Sequence, residues 1–163
     1  MPKSTIAFAA VLSLMTGGAA AQPSGWSTGY QMGTAYAGVS GASGARLTFY
    51  CGEAAAARAN PAIQGGPYLM AALPNDQLKG VAPATIEVVA DGKAMPIPVA
   101  AKPDGEQIEF TWKPERGFGL PQMRSVVAAL RKAKRIELRA AGSTFAISAE
   151  GAAKALAEDP LRC

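Results

Sequence analysis

The chain of 163 residues contains no histidine, only two cysteines, 7% aromatic residues and 17% charged residues. Each shortage excludes a class of chemistry. Without histidine there is no Ser-His-Asp or Cys-His catalysis, no His-ligated zinc and no proximal-His haem. Two cysteines cannot supply a four-cysteine metal site. The low charge, with 18 Gly and 12 Pro, fits neither a coiled coil nor a charge-rich disordered chain. The formal net charge of +4 is too small for a nucleic-acid binder. No Cys-x-x-Cys pair is present, so a catalytic disulfide is not expected. Neither a metal nor a cofactor is expected, and no nucleic-acid partner.

No apolar run reaches the roughly 20 residues that span a bilayer. The longest, Ile6 to Met15, follows Lys3 and precedes Gly17-Gly18 and Ala19-Ala20-Ala21. A basic start, a short apolar core and a small-residue site make a secretory signal peptide over 1–21, removed after Ala21. The mature chain would begin at Gln22, without a transmembrane segment, in the periplasm or outside the cell. In that oxidising compartment Cys51 and Cys163 read as a disulfide tying the C-terminus to the first strong strand. An intermolecular bridge through Cys163, or two free thiols, are the other readings.

Residues 22–45 are rich in Gly, Ser, Thr and Ala. They read as a flexible arm with one irregular strand near Thr28–Ala37, and 46–163 read as one globular domain. Trp26, Tyr30 and Tyr36 in the arm read as rings over the open edge of a small core, or as a binding surface. From Arg46 onward Leu47, Phe49 and Cys51 alternate with polar residues, as a half-buried strand does. Ala54 to Ala59 suits a helical turn stopped by Asn60-Pro61. Tyr68 to Leu73 and Thr85 to Ala90 follow as strands. Asp91-Gly92 between apolar runs predicts a type I′ hairpin, because both central residues need positive φ. Pro96 and Pro98, two positions apart, place their strand at a sheet edge. Pro103-Asp104-Gly105 reads as a turn before the strand Gln107 to Trp112.

Met123, Val126, Val127 and Leu130 line one face of a helix entered through Pro121. Strands around Ile136–Leu138 and Phe145–Ile147 flank Ala141-Gly142. A last helix capped by Ser148 runs to about Glu158. The expected class is α+β, β-dominant: one antiparallel sheet or a small β-sandwich, with two short helices in the C-terminal third.

The order strand, Asp91-Gly92, helix, strand, tight turn, strand ends in Ser148, Gly151, Ala155 and Leu156, a Ser-x-x-Gly-x-x-x-Ala-Leu segment. About half the mature chain thereby resembles the C-terminal half of small exported proteobacterial proteins of the invasion-associated locus B type. The resemblance implies an envelope or surface protein linked to host interaction, with no catalytic residues.

Among candidate sites, Arg116, Gly117, Gly119 and Arg124 lie where a strand gives way to a helix. Glycines there let backbone N–H groups approach an anion or a partner. Gln122 stands where a dinucleotide fingerprint needs its third glycine, and no Walker Gly-Lys-Ser/Thr occurs. The plainer reading is a turn ahead of the helix. The run Arg131-Lys132-Ala133-Lys134-Arg135 reads as a solvated helix end complementing the dipole. Glu87 and Glu109 read as solvated strand carboxylates.

The function expected is a non-catalytic binding or interaction module of the bacterial envelope. Its partner would be another envelope or extracellular protein. The alternatives are a periplasmic inhibitor or immunity-type protein presenting a rigid loop over 113–121, and a His-free carboxylate hydrolase.

Overall fold

The computed structural model describes residues 25–61 and 63–163, so the expected signal peptide lies outside the described residues. Among the described residues ten strands form two antiparallel sheets. The large sheet has the order β1-β2-β3-β4-β8-β7. Its strands are β1 (Ser27–Gln31), β2 (Thr34–Ser40), β3 (Arg46–Gly52), β4 (Gly66–Pro74), β7 (Ala100–Asp104) and β8 (Gln107–Trp112). The small sheet has the order β10-β9-β5-β6, from β5 (Thr85–Ala90), β6 (Lys93–Pro98), β9 (Ile136–Ala140) and β10 (Ser143–Ile147). Both sheets give their inner faces to one core, which includes Leu47, Phe49, Leu69, Phe110, Val88, Leu138 and Phe145. Among the described residues there are four helices: α1 (Ala54–Ala59), α2 (Asn75–Leu78), α3 (Leu120–Leu130) and α4 (Ala152–Ala155). The β-dominant class is as expected, but the helices are not confined to the C-terminal third. No helix of the described residues is long and apolar enough to cross a membrane.

Alternation explains most elements. Ile108, Phe110 and Trp112 are buried while Glu109 and Thr111 stand on the opposite face. In α3 the buried residues are Met123, Val126, Val127 and Leu130, the i, i+3, i+4, i+7 set of one helical stripe. β6 is an edge strand, where Pro96 and Pro98 break no ladder inside a sheet. β7 forms an edge of the large sheet, and it corrects the reading of Pro103-Asp104 as a turn. The strand continues through Asp104, and Gly105 at φ 59° begins the reversal.

The segment read as a flexible arm is a hairpin. β1 and β2 pair from Ser27↔Gly38 to Gln31↔Thr34, and β2 continues into the sheet against β3. Its small residues resemble a linker, yet Ala37 and Val39 face the core and Gly38, on the opposite side, is covered by Thr48. Trp26 is buried, stacks on Phe49 at 6.3 Å, and donates its indole N–H to the Ser148 carbonyl at 2.9 Å. Its backbone N–H reaches the Glu150 carbonyl at 2.8 Å. The two ends of the domain are thus joined through Trp26.

The last helix is shorter than expected. Ser148 does not cap it. The Ser148 hydroxyl accepts the Glu150 N–H at 3.1 Å, and Gly151 at φ 78° starts α4. That local turn competes with helix over 148–151. Cys51 and Cys163 are bonded, with Cα atoms 5.3 Å apart, so the C-terminus returns to the inner side of β3.

Three hairpins share one turn chemistry. Met32-Gly33, Asp91-Gly92 and Ala141-Gly142 all hold both residues at positive φ, as a type I′ turn requires. Asp91 is suited to this, and its carboxylate also accepts the Lys134 and Arg135 N–H groups at 3.0 and 2.9 Å. Ala141, at φ 48°, carries a Cβ into the left-handed region without compensation. Ala141→Asn should therefore raise stability by about 0.5–1 kcal/mol, read as a rise in thermal midpoint of a few degrees. An unchanged or lower midpoint would contradict this account of the turn.

Candidate binding surface

The sequence-predicted loop residues are present but do not converge. Glu115 bridges to Phe118 and leaves Arg116 and Gly117 at an exposed tip. Trp112 pins this turn from below: its indole N–H reaches the Phe118 carbonyl at 3.1 Å, and the Phe118 ring meets it edge-on at 6.2 Å. The Gly119 N–H is occupied by the Gln122 side-chain oxygen at 3.0 Å. Arg124 points away, into an ion pair with Asp159 at 2.7 Å. Gly119 and Arg124 thus serve the helix start and the C-terminal segment.

Three further arginines are similarly engaged. Arg131 donates to the Ala157 carbonyl at 3.4 Å, and Arg135 and Arg139 both flank Glu137, at 3.7 and 2.8 Å. Glu87 sits in the small sheet and Glu109 in the large one. No group of three His, Cys, Asp or Glu among the described residues is arranged to hold a metal ion. A concavity of about 820 Å³ surrounds α2, bordered by Asp76, Gln77, Glu106 and Gln107. Several of its polar groups are spent on the fold. Asp76 accepts the Gln77 N–H at 2.8 Å, Gln107 bonds both Arg46 and the Gly44 carbonyl, and Ser143 donates to the Gln77 carbonyl.

The outer face of the large sheet is different. Pairing between β2, β3 and β4 aligns Tyr36, Tyr50 and Tyr68 in one row across three strands. Tyr50 and Tyr68 stack at 4.7 Å and 13°, and Tyr36 tilts against Tyr50 at 6.4 Å and 49°. Such cross-strand aromatic pairs stabilise a sheet and remain available to a partner. The next row is Gly38, Thr48, Met70 and Thr111, again uncharged. Charge returns only in the third row, with Arg46 and Glu109, and Lys102 beyond them. The outer face of the small sheet instead carries Glu87, Glu137 and Arg139 side by side.

Burial, then the neighbouring Tyr50, raises the Tyr68 phenol above its ordinary value. It is a neutral hydroxyl at physiological pH. Tyr30 lies on the inner side of β1, half clear of the domain, and donates to Glu53 at 2.7 Å. That hydrogen bond, first among its causes, raises the Tyr30 phenol too. Of the rings singled out from the sequence, Trp26 is core, Tyr30 lies on the side opposite the row and Tyr36 belongs to the row. The sequence by itself does not single out Tyr50 or Tyr68. The signal for Tyr50 is its position opposite to Leu47 and Phe49 in the alternation; Tyr68 joins it only through the register.

No curated protein and no solved structure matches this chain. A family profile does, and the family it represents gives no link to the invasion-associated locus B proteins. The match covers residues 24–156, from the start of the first hairpin to the end of α4, and stops before Cys163. The chain belongs to the YfjT family.

Proposed function

We propose that this is an exported protein of the bacterial envelope, cleaved after Ala21, that works as a non-catalytic binding module. Its contact surface is the outer face of the large sheet. The observation carrying this reading is the uncharged, half-buried tyrosine row Tyr36–Tyr50–Tyr68 on the outer face of the large sheet. Tyrosine gives large contact area at low entropic cost, and an uncharged centre avoids the desolvation penalty of ions. The Cys51–Cys163 bond is compatible with an oxidising compartment. Host interaction, which the resemblance to invasion-associated locus B proteins implies, is one setting for such a surface.

A second reading has its own observation. The turn 115–118 is held rigid by Trp112 and offers Arg116 at an exposed tip, as an inhibitor loop entering a cleft would. Two variants separate the readings. With the mature protein as bait for envelope fractions, Tyr50→Ser should weaken capture of the specific component at least about tenfold. Arg116→Ala should leave it unchanged. The reverse pattern would favour the inhibitor and remove the tyrosine face from consideration.

A further inference from the structure

One end of the tyrosine row forms a groove of about 360 Å³. Gly38 borders it but is itself buried, because the Thr48 side chain packs over its backbone where a Cβ would project. The walls of the groove include Tyr36 and Tyr50. Tyr68 occupies one face of Tyr50, and the other face looks toward Tyr36 and the groove. Tyr36 in turn lies over Gly29 of β1, where any side chain would collide with its ring. The rim carries Ser27, Ser40 and Thr48. Among the described residues none of these three hydroxyls has a hydrogen-bond partner, so the fold does not use them. Among the described residues no charged one borders the groove.

Aromatic faces carry partial negative charge and attract weakly positive C–H groups laid flat on them. Hydroxyls both donate and accept, and so match ligands that do the same. A concave site with aromatic walls, a few unspent hydroxyls and no ion selects a neutral, flat, hydroxyl-rich ligand. Phosphates and carboxylates would find no counter-charge here, and a purely apolar ligand would strand the three hydroxyls.

We propose that the groove beside Tyr36 and Tyr50 binds an uncharged pyranose, or a chain of them, stacked against these rings and bonded by Ser27, Ser40 and Thr48. This inference rests on the reading of the large sheet as the contact surface and names the chemistry of one ligand. The sequence leads to the expectation of a protein partner, and the test includes that outcome.

The experiment titrates disulfide-closed mature protein with maltopentaose, cellopentaose and chitopentaose, and with a sulfated heparin oligosaccharide as the charged control. At least one neutral oligosaccharide should bind saturably, and the sulfated one should not. Tyr50→Ala should weaken that binding about tenfold or more, and Thr48→Val severalfold. Tyr50→Phe, which keeps the ring, should restore most of it. If none of the neutral sugars binds, or if Tyr50→Ala leaves binding unchanged, the proposal is overturned. Where sugars fail but Tyr50→Ser still abolishes capture from envelope fractions, the contact surface stands and its partner is a protein. Where both fail, the surface reading falls too.

Discussion

Removing residues 144–163 should leave a chain with no cooperative thermal transition. The deletion takes away most of β10, all of α4 and the Cys163 arm of the disulfide. It also removes Phe145, Ile147, Leu156 and Leu161, each at most 5% exposed. Truncating one buried Phe or Leu to Ala costs about 2–5 kcal/mol, and a domain of this size holds only about 5–15 kcal/mol in all. The Ser148 and Glu150 carbonyls that hold Trp26 go as well, so the first hairpin loses its anchor at the same time. Circular dichroism of the truncated chain is the measurement. A cooperative melt at the parent temperature would show that the C-terminal segment is a tail and not part of the core.

The second large effect is loss of the disulfide. Cys51 and Cys163 are separated by 112 residues, and closing so long a loop restricts the unfolded chain severely. The chain-entropy account assigns about 4–5 kcal/mol to it, and native disulfides usually return about 2–5 kcal/mol on removal. The double variant Cys51→Ala/Cys163→Ala should lower the denaturant midpoint accordingly, without changing the far-UV spectrum of the folded state. An unaltered midpoint would contradict the assignment. The intact mass of exported protein gives a companion check: a chain starting at Gln22 and two hydrogens lighter than its thiol form.

Much of this architecture is legible in the sequence because local and long-range forces agree there. Leu47-Thr48-Phe49-Tyr50-Cys51 alternates, Asp91-Gly92 demands its turn, and Met123 to Leu130 repeats with helical period; each element forms as its pattern dictates. The edge position of β6 follows from two missing N–H groups.

Failures of the pattern have identifiable causes. β1 and β2 are built from Gly, Ala, Ser and Thr, whose polarity and size resemble a linker. Tertiary contacts, Ala37 against Phe49 and Val39 against Leu47 across the ladder, decide the matter instead. The same small residues leave room for the aromatic row, since Gly29 accommodates Tyr36. The helix expected over 148–158 is cut short by the Ser148 turn and by Gly151, both local effects that helical periodicity does not register. The row itself joins residues 36, 50 and 68 through strand register, and register is a property of pairing partners, not of any one segment. The Arg116–Arg124 candidate shows the opposite case. Its residues are close in sequence, but Arg124 turns to Asp159, and sequence proximity did not make a site.

The central claim is that the outer face of the large sheet, and not that of the small sheet, meets the partner. Site-specific photo-crosslinking in the exporting cell tests it most directly. A photoreactive side chain at Thr111 sits on the row beside Met70, and one at Thr144 sits on β10 opposite Arg139. The account predicts a specific covalent adduct from position 111 and none from position 144. An adduct confined to position 144 would contradict it.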